Sequence, residues 1–325
     1  MHTLHAIYYT INDNKYVLRS MGRIAAGIFL CTFILACYND ACFGEEKVRK
    51  SPIAGTWYPE DKQKLIKQVE DYFTQAQPSA IKGRIFALIS PHAGIQYSGQ
   101  AAACGYKLLR GRKISRVIVL GPSHYAGFRG IATSAEDFYE TPVGRIKVDR
   151  DVSDALYKNA LFKGSRQAEL QEHSLEMQLP FLQVALNEFT LVPLVVGELS
   201  EKDYADAAQA LAPYLDDATI VVASSDFTHY GFRFGYLPFK DHPRENLKKL
   251  DGGAIDKILA KNFKGFLSYV DETGATICGT RPIGIVLKLL PKAAKGTLLS
   301  YYTSGDLTGD FDTSVSYASI VFSVD

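Results

Sequence analysis

Apolar residues along this chain fall into short continuous runs separated by longer stretches of helical spacing. The runs at 85–89, 116–120, 191–196, 219–223, 297–302 and 314–322 read as strands. Most are apolar at consecutive positions, so several strands are expected to be buried on both faces of a sheet. Between them, residues 99–109, 151–157, 172–186, 201–214, 244–261 and 282–290 read as helices. Residues 138–148, with Thr-Pro-Val-Gly in the middle, read as two strands joined by a turn. Strands and helices alternate, and no long Pro/Gly/Ser linker interrupts residues 50–325, which predicts a single layered α/β domain over 46–325.

Ligands of open α/β sheets gather beyond the carboxyl ends of the strands, where loops converge on a rigid edge. Three stretches place a histidine there. SPHAGIQYSG (90–99) carries His92, RVIVLGPSHYAG (116–127) carries His124, and TIVVASSDFTHYG (219–231) carries Asp226 and His229. Neutral imidazole is the commonest protein metal ligand, so matching contexts point to a shared site. The plainer alternative is that each ring caps a turn by hydrogen bonding to a carbonyl. Asp226 and His229 are three apart, which on a helical turn would let the carboxylate orient the imidazole. Ser224 and Ser225 are candidate nucleophiles of a Ser/His/Asp hydrolase, but no Gly-x-Ser-x-Gly elbow surrounds them, and capping of a following turn is their alternative role. QEHSLEMQLPFL (171–182) puts Glu172, His173 and Glu176 on the first turns of a helix whose leucines face the core, a pocket position or a solvated flank. Cys278 precedes the last long helix, where a helix N-terminus favours thiolate; its alternative is a small buried hydrophobe, the role that suits Cys104. AGTWYP (54–59) holds the only tryptophan and reads as a packed lid or turn.

The first 45 residues stand apart. An uncharged apolar stretch at 24–36, thirteen residues long, is too short to cross a bilayer and suits a signal peptide. Ile34-Leu35-Ala36-Cys37 resembles a bacterial lipoprotein cleavage box, with Cys37 as the lipidated residue, and Met21 competes with Met1 as the start. The expectation is an exported, membrane-anchored lipoprotein that touches the membrane through its lipid. Of five cysteines, Cys31, Cys37 and Cys42 sit in or beside this leader, leaving Cys104 and Cys278 for the domain, where export would permit a disulfide between them. The 36 basic and 35 acidic residues nearly balance, and no basic stripe with interleaved aromatics appears, which argues against nucleic acid.

In order, AGTWYP, SPHAGIQYSG, GPSH, YETPVG, EHSLEMQLPFL, SSDFTHYG and ICG resemble the motifs of the MEMO family, whose bacterial members are called AmmeMemoRadiSam system protein B. The resemblance spans roughly 49–323. It implies an α/β sandwich of the class III extradiol dioxygenase type, with a metal site at one edge. It further implies that His92, His124 and Cys278 are metal ligands, that His229 is an acid/base beside Asp226, and that His173, Ser225 and Glu172 lie in the pocket. Replacing a ligand carboxylate by thiolate favours copper(I) and leaves iron(II) or zinc in competition. The resemblance thus implies a metal-binding protein, a dioxygenase-like iron or copper redox enzyme in one reading and a non-catalytic metal- or ligand-binding protein in the other. A small-molecule or peptide ligand is implied in both. It also implies association with AMMECR1-like and radical-SAM proteins and a cytoplasmic location, which the leader opposes.

Overall fold

Successive residues of the central strands point to opposite faces, and both faces are covered. Leu88, Val119 and Val222 pack in one buried apolar cluster, while their neighbours Ile89, Leu120 and Val221 pack in a second. This double burial is why the strand sequences are continuously apolar. Each fully buried Leu, Ile or Val side chain contributes roughly 1.5–3 kcal/mol, so the two layers dominate the stability of the domain.

The computed structural model describes residues 45–325. The leader, the alternative start at Met21 and the lipidation at Cys37 lie outside the described residues. Eleven strands form the sheet: β1 (Val48–Arg49), β2 (Arg84–Ser90), β3 (Arg116–Pro122), β4 (Ile131–Thr133), β5 (Phe138–Thr141), β6 (Gly144–Val148), β7 (Thr190–Val196), β8 (Thr219–Ser224), β9 (His229–Gly231), β10 (Lys295–Thr303) and β11 (Thr313–Val324). Their order is β1-β5-β6-β7-β3-β8-β2-β11-β10, with β4 paired to β7 and β9 to β11. The strands β7, β3, β8 and β2 are mutually parallel, and β11 and β10 close the sheet antiparallel. The layered α/β architecture expected from the sequence is the one observed. Among the described residues no helix is long and apolar enough to cross a membrane.

The helix expected over 172–186 is divided into His173–Glu176 and Leu179–Ala185. Pro180 has no amide proton for the ladder and its ring crowds the preceding turn, so the helix re-forms only around it. Three α-helices escaped the sequence reading, the short Ser304–Thr308 among them. Lys62–Gln75 starts on Asp61, whose side chain accepts from the Lys64 amide, and buries Leu65, Val69 and Phe73 at a four-residue spacing. Phe263–Thr273 runs from an Asn262 cap to Gly274 in the left-handed conformation. The short strands β1, β4 and β9 were also unforeseen.

Candidate metal centre

The parallel register sets the site. Ser90, Ser224 and Pro122 end the neighbouring strands β2, β8 and β3, so the segments that follow leave the sheet on one edge. His92, Asp226 and His124 each lie two residues beyond those ends. The short helix His173–Glu176 approaches the same edge, and one ring nitrogen each from His92, His124 and His173 lies within 4.8 Å of the others. The rings of His124 and His173 stack with centroids 4.5 Å apart, and His92 meets both edge-on at 5.2 and 5.4 Å.

Hydrogen bonding fixes which nitrogens face inward. The Ser224 hydroxyl has one proton and gives it to the Ser174 carbonyl at 2.6 Å. It therefore accepts from Gln178 Nε2 at 2.8 Å and from His92 Nδ1 at 2.8 Å. Gln178 cannot be reversed, because Tyr106 donates to its Oε1 and the Pro91 carbonyl accepts from its Nε2. His92 thus carries its proton on Nδ1 and presents a lone pair on Nε2. Burial, and the charges of His124 and His229, hold its pKa well below that of a free imidazole, so the ring stays neutral.

Glu172 does for His124 what Ser224 does for His92. Its carboxylate accepts from the His124 amide at 2.7 Å, from His124 Nδ1 at 2.8 Å and from the Ser174 amide at 3.0 Å. Burial alone would raise its pKa, but these bonds and the charge of His124 outweigh it and bring the value to about 2. His124 Nε2 is left for a ligand. His173 is buried against the Trp57 ring, centroids 4.3 Å apart, with Tyr125 Oη 3.2 Å from its Nδ1. Burial first, then the charges of His92 and His124, lower its pKa to about 3. Imidazoles oriented by a carboxylate or a hydroxyl are what a borderline transition metal requires. The donor set fits an ion.

Cys278 reaches His92 from another side. Its sulfur lies 3.1 Å from His92 Nε2 and accepts from the Asp226 amide at 3.2 Å. His92, Asp226 and Cys278 form a second group of potential donors that shares His92 with the first, while His124 and Cys278 fall in different groups. Of the triad expected from sequence, His92 is common to both groups, His124 joins it in the first beside His173, and Cys278 joins it in the second beside Asp226. Cys104 and Cys278 are both free, so the disulfide considered for them is not formed. The expected thiolate is also corrected: burial, and then the charge of Asp226, push the thiol well above its ordinary pKa and override the helix N-terminus.

Asp226 does not orient His229. Residues 225–228 are not helical. The Asp226 Oδ1 accepts instead from the amides of His92 and Ala93 at 2.7 and 3.2 Å, and burial raises its pKa. His229 gives its Nδ1 proton to the Thr276 carbonyl at 3.0 Å, leaving Nε2 available. Ser225 donates to the Asp226 carbonyl and accepts from the Gly279 amide. With Ser224 committed to Ser174 and His92, the arrangement a Ser/His/Asp hydrolase needs is not assembled.

A cavity of about 540 Å³ opens above the imidazoles, lined also by Trp57, Tyr97, Asp226, His229, Arg233 and Phe234. Trp57 is thus part of the site wall, beyond the packing role expected of it. Arg233 and Phe234 were not singled out from sequence; they follow His229 directly on a turn, and only the pairing of β9 with β11 swings that turn over the cavity.

The chain is similar to known proteins over most of its length. Protein MEMO1 of Mus musculus is 33% identical over 285 residues, covering 83% of this chain and 95% of its own length. Protein MEMO1 of Xenopus laevis is 35% identical over 288 residues with the same coverage. An uncharacterized protein of Escherichia coli K12, of known structure, superposes with a TM-score of 0.47 at 16% identity, over 73% of this chain and 99% of that one. The family described as Memo-like protein matches residues 49–321, and this chain belongs to it.

Proposed function

We propose that the protein binds a redox-active transition metal, iron(II) or copper(I), on His92, His124 and His173, and acts on a small molecule held in the cavity above. The observation that carries this reading is the convergence of three imidazoles on one point, two of them with Nδ1 fixed by Ser224 and Glu172. A bound iron or copper would supply Lewis acidity and one-electron exchange at the cavity floor. The remaining chemistry belongs to the chain. Ser224 and Glu172 accept from the Nδ1 atoms of His92 and His124 and so aim the other ring nitrogens at the cavity floor. His229, held by the Thr276 carbonyl, takes or gives a proton at Nε2. Trp57 shields His173 from solvent, and Arg233 brings positive charge to the wall.

The test is anaerobic purification followed by metal analysis, then oxygen uptake with catecholic substrates. One equivalent of iron or copper is expected in the wild type and less than a tenth of that in His92→Ala. His173→Ala is expected to lose most of the metal, and Cys278→Ser reports whether the sulfur 3.1 Å from His92 Nε2 adds a further ligand. Metal content insensitive to all three substitutions ends the proposal. Stoichiometric metal without oxygen uptake across the substrate panel assigns the pocket to binding rather than turnover.

A further inference from the structure

We propose that Arg49 is a positioning residue of the metal centre, setting the limb that carries Glu172 and His173; this rests on the metal-binding reading above. Arg49 is 2% exposed and lies on the two-residue edge strand β1, 120 residues or more from the limb it holds. Its Nε donates to the Glu169 carbonyl at 2.7 Å, one terminal nitrogen to the Glu172 carbonyl at 2.8 Å, and the other to the Glu176 carboxylate at 2.5 Å. The guanidinium therefore grips the chain immediately before, at and after the two site residues. The opposite oxygen of Glu176 is taken by Ser51 and Tyr58, both on the segment that continues from β1. Trp57 of that segment packs on His173, and its carbonyl accepts at 2.9 Å from the amide of Ile95, the first residue of the helix that follows the His92 loop.

The helix His173–Glu176 has four residues. An isolated helix of that length has no stability of its own, because nucleation costs more than one turn returns. Its place must come from outside contacts, and the bonds at Glu169 and Glu172 are planar, directional ones that only a guanidinium fork makes together. A shift of the Glu172 backbone would move the carboxylate off His124 and the His173 ring off the other two. Buried ion pairs are in themselves a weak source of stability, so positioning accounts for this expensive arrangement better than stabilisation does.

The test compares the full-length wild type with Arg49→Lys, which keeps the charge and loses the fork, and with Glu176→Gln, which loosens the guanidinium should the first variant fold poorly. Val69→Ala, in the core helix Lys62–Gln75 away from the site, serves as a control for destabilisation alone. Cobalt(II) is titrated into each apoprotein at a temperature where circular dichroism shows full folding. The His124 Nδ1 proton is followed separately by NMR without metal. We expect affinity to fall about ten-fold or more in the Arg49 and Glu176 variants, the usual scale for losing a group that orients ligands. We also expect a changed cobalt spectrum, a weakened Nδ1 resonance, and no change in Val69→Ala. Wild-type affinity and spectrum in folded Arg49→Lys overturn the proposal. If the wild type itself binds no cobalt, the metal reading fails alone, and the Nδ1 proton decides: kept at its wild-type shift in Arg49→Lys, it overturns the positioning role, and lost, it supports it.

Discussion

Ser224 governs His92 with a single hydroxyl proton, already given to the Ser174 carbonyl. Ser224→Ala removes the acceptor that holds the imidazole proton on Nδ1 and frees the ring to take the other tautomer. The fold should persist, with metal affinity lower by about 10- to 100-fold, read from competition with a chromophoric chelator. Unchanged affinity would separate ligand orientation from this hydroxyl. The same residue shows what sequence could and could not say. A serine at a strand end beside an aspartate and a histidine is compatible with a nucleophile, a cap or a ligand-orienting group. The choice depends on Ser174 and Gln178, about fifty positions away, whose approach no local pattern records. His92 and His124 were legible because each sits three or four residues past a continuous apolar run. His173 was legible only as a pocket residue, because its neighbours are made by packing rather than by spacing. Arg49 gave no signal, since an arginine in the basic run Lys47-Val48-Arg49-Lys50 looks like any surface charge.

At the scale of elements, the strands were easier to read than the helix ends. Residues buried on both faces announce themselves by unbroken apolarity, whereas Lys62–Gln75 has a thin apolar stripe on a charged background and was lost in it. The link between β8 and the helix Thr280–Leu289 depends on a close approach at Gly279. A Cβ there would lie 2.2 Å from the Ser225 Cβ and 2.6 Å from the Ser224 carbonyl oxygen. Gly279 has φ −89°, so an alanine is not strained by backbone conformation; the obstacle is steric and involves main chain. Gly279→Ala must push the helix start away from β8 and carry Cys278 with it. A cost of about 1–3 kcal/mol is expected, typical of overpacking. For a domain of this size that lowers Tm by roughly 2–4 °C per kcal/mol, measurable by calorimetry. An unchanged Tm would mean the strand end and the helix yield together without cost.

Across the whole molecule, two buried carboxyls pull stability in opposite directions with pH. Glu172 is held at about 2 in the folded protein, below its ordinary value, with burial opposing and the bonds from His124 and Ser174 prevailing. A depressed carboxyl contributes stability that is present above its unfolded pKa and is lost as pH falls through the folded one. Taking about 4.3 for the unfolded group, the contribution is on the order of 3 kcal/mol and disappears between roughly pH 4.5 and 2. Asp251 behaves in reverse. It is fully buried on the helix Pro243–Leu259, accepting from the Thr228 amide and hydroxyl and from Tyr301, and burial raises its pKa despite those bonds. Its folded form is reluctant to ionise, so its cost is complete above the raised pKa and is relieved as pH falls. Urea unfolding at a series of pH values separates the two. Relative to wild type, Glu172→Gln should lose most stability near neutral pH, with the difference shrinking toward pH 2. Asp251→Asn should gain relative to wild type as pH rises from about 4. Because Asp251 holds Thr228, directly before His229, the same curve reports on the support of that loop: a difference for Asp251→Asn that is flat with pH would mean that the carboxyl ionises as readily in the folded protein as in the unfolded chain, and burial would then not raise its pKa.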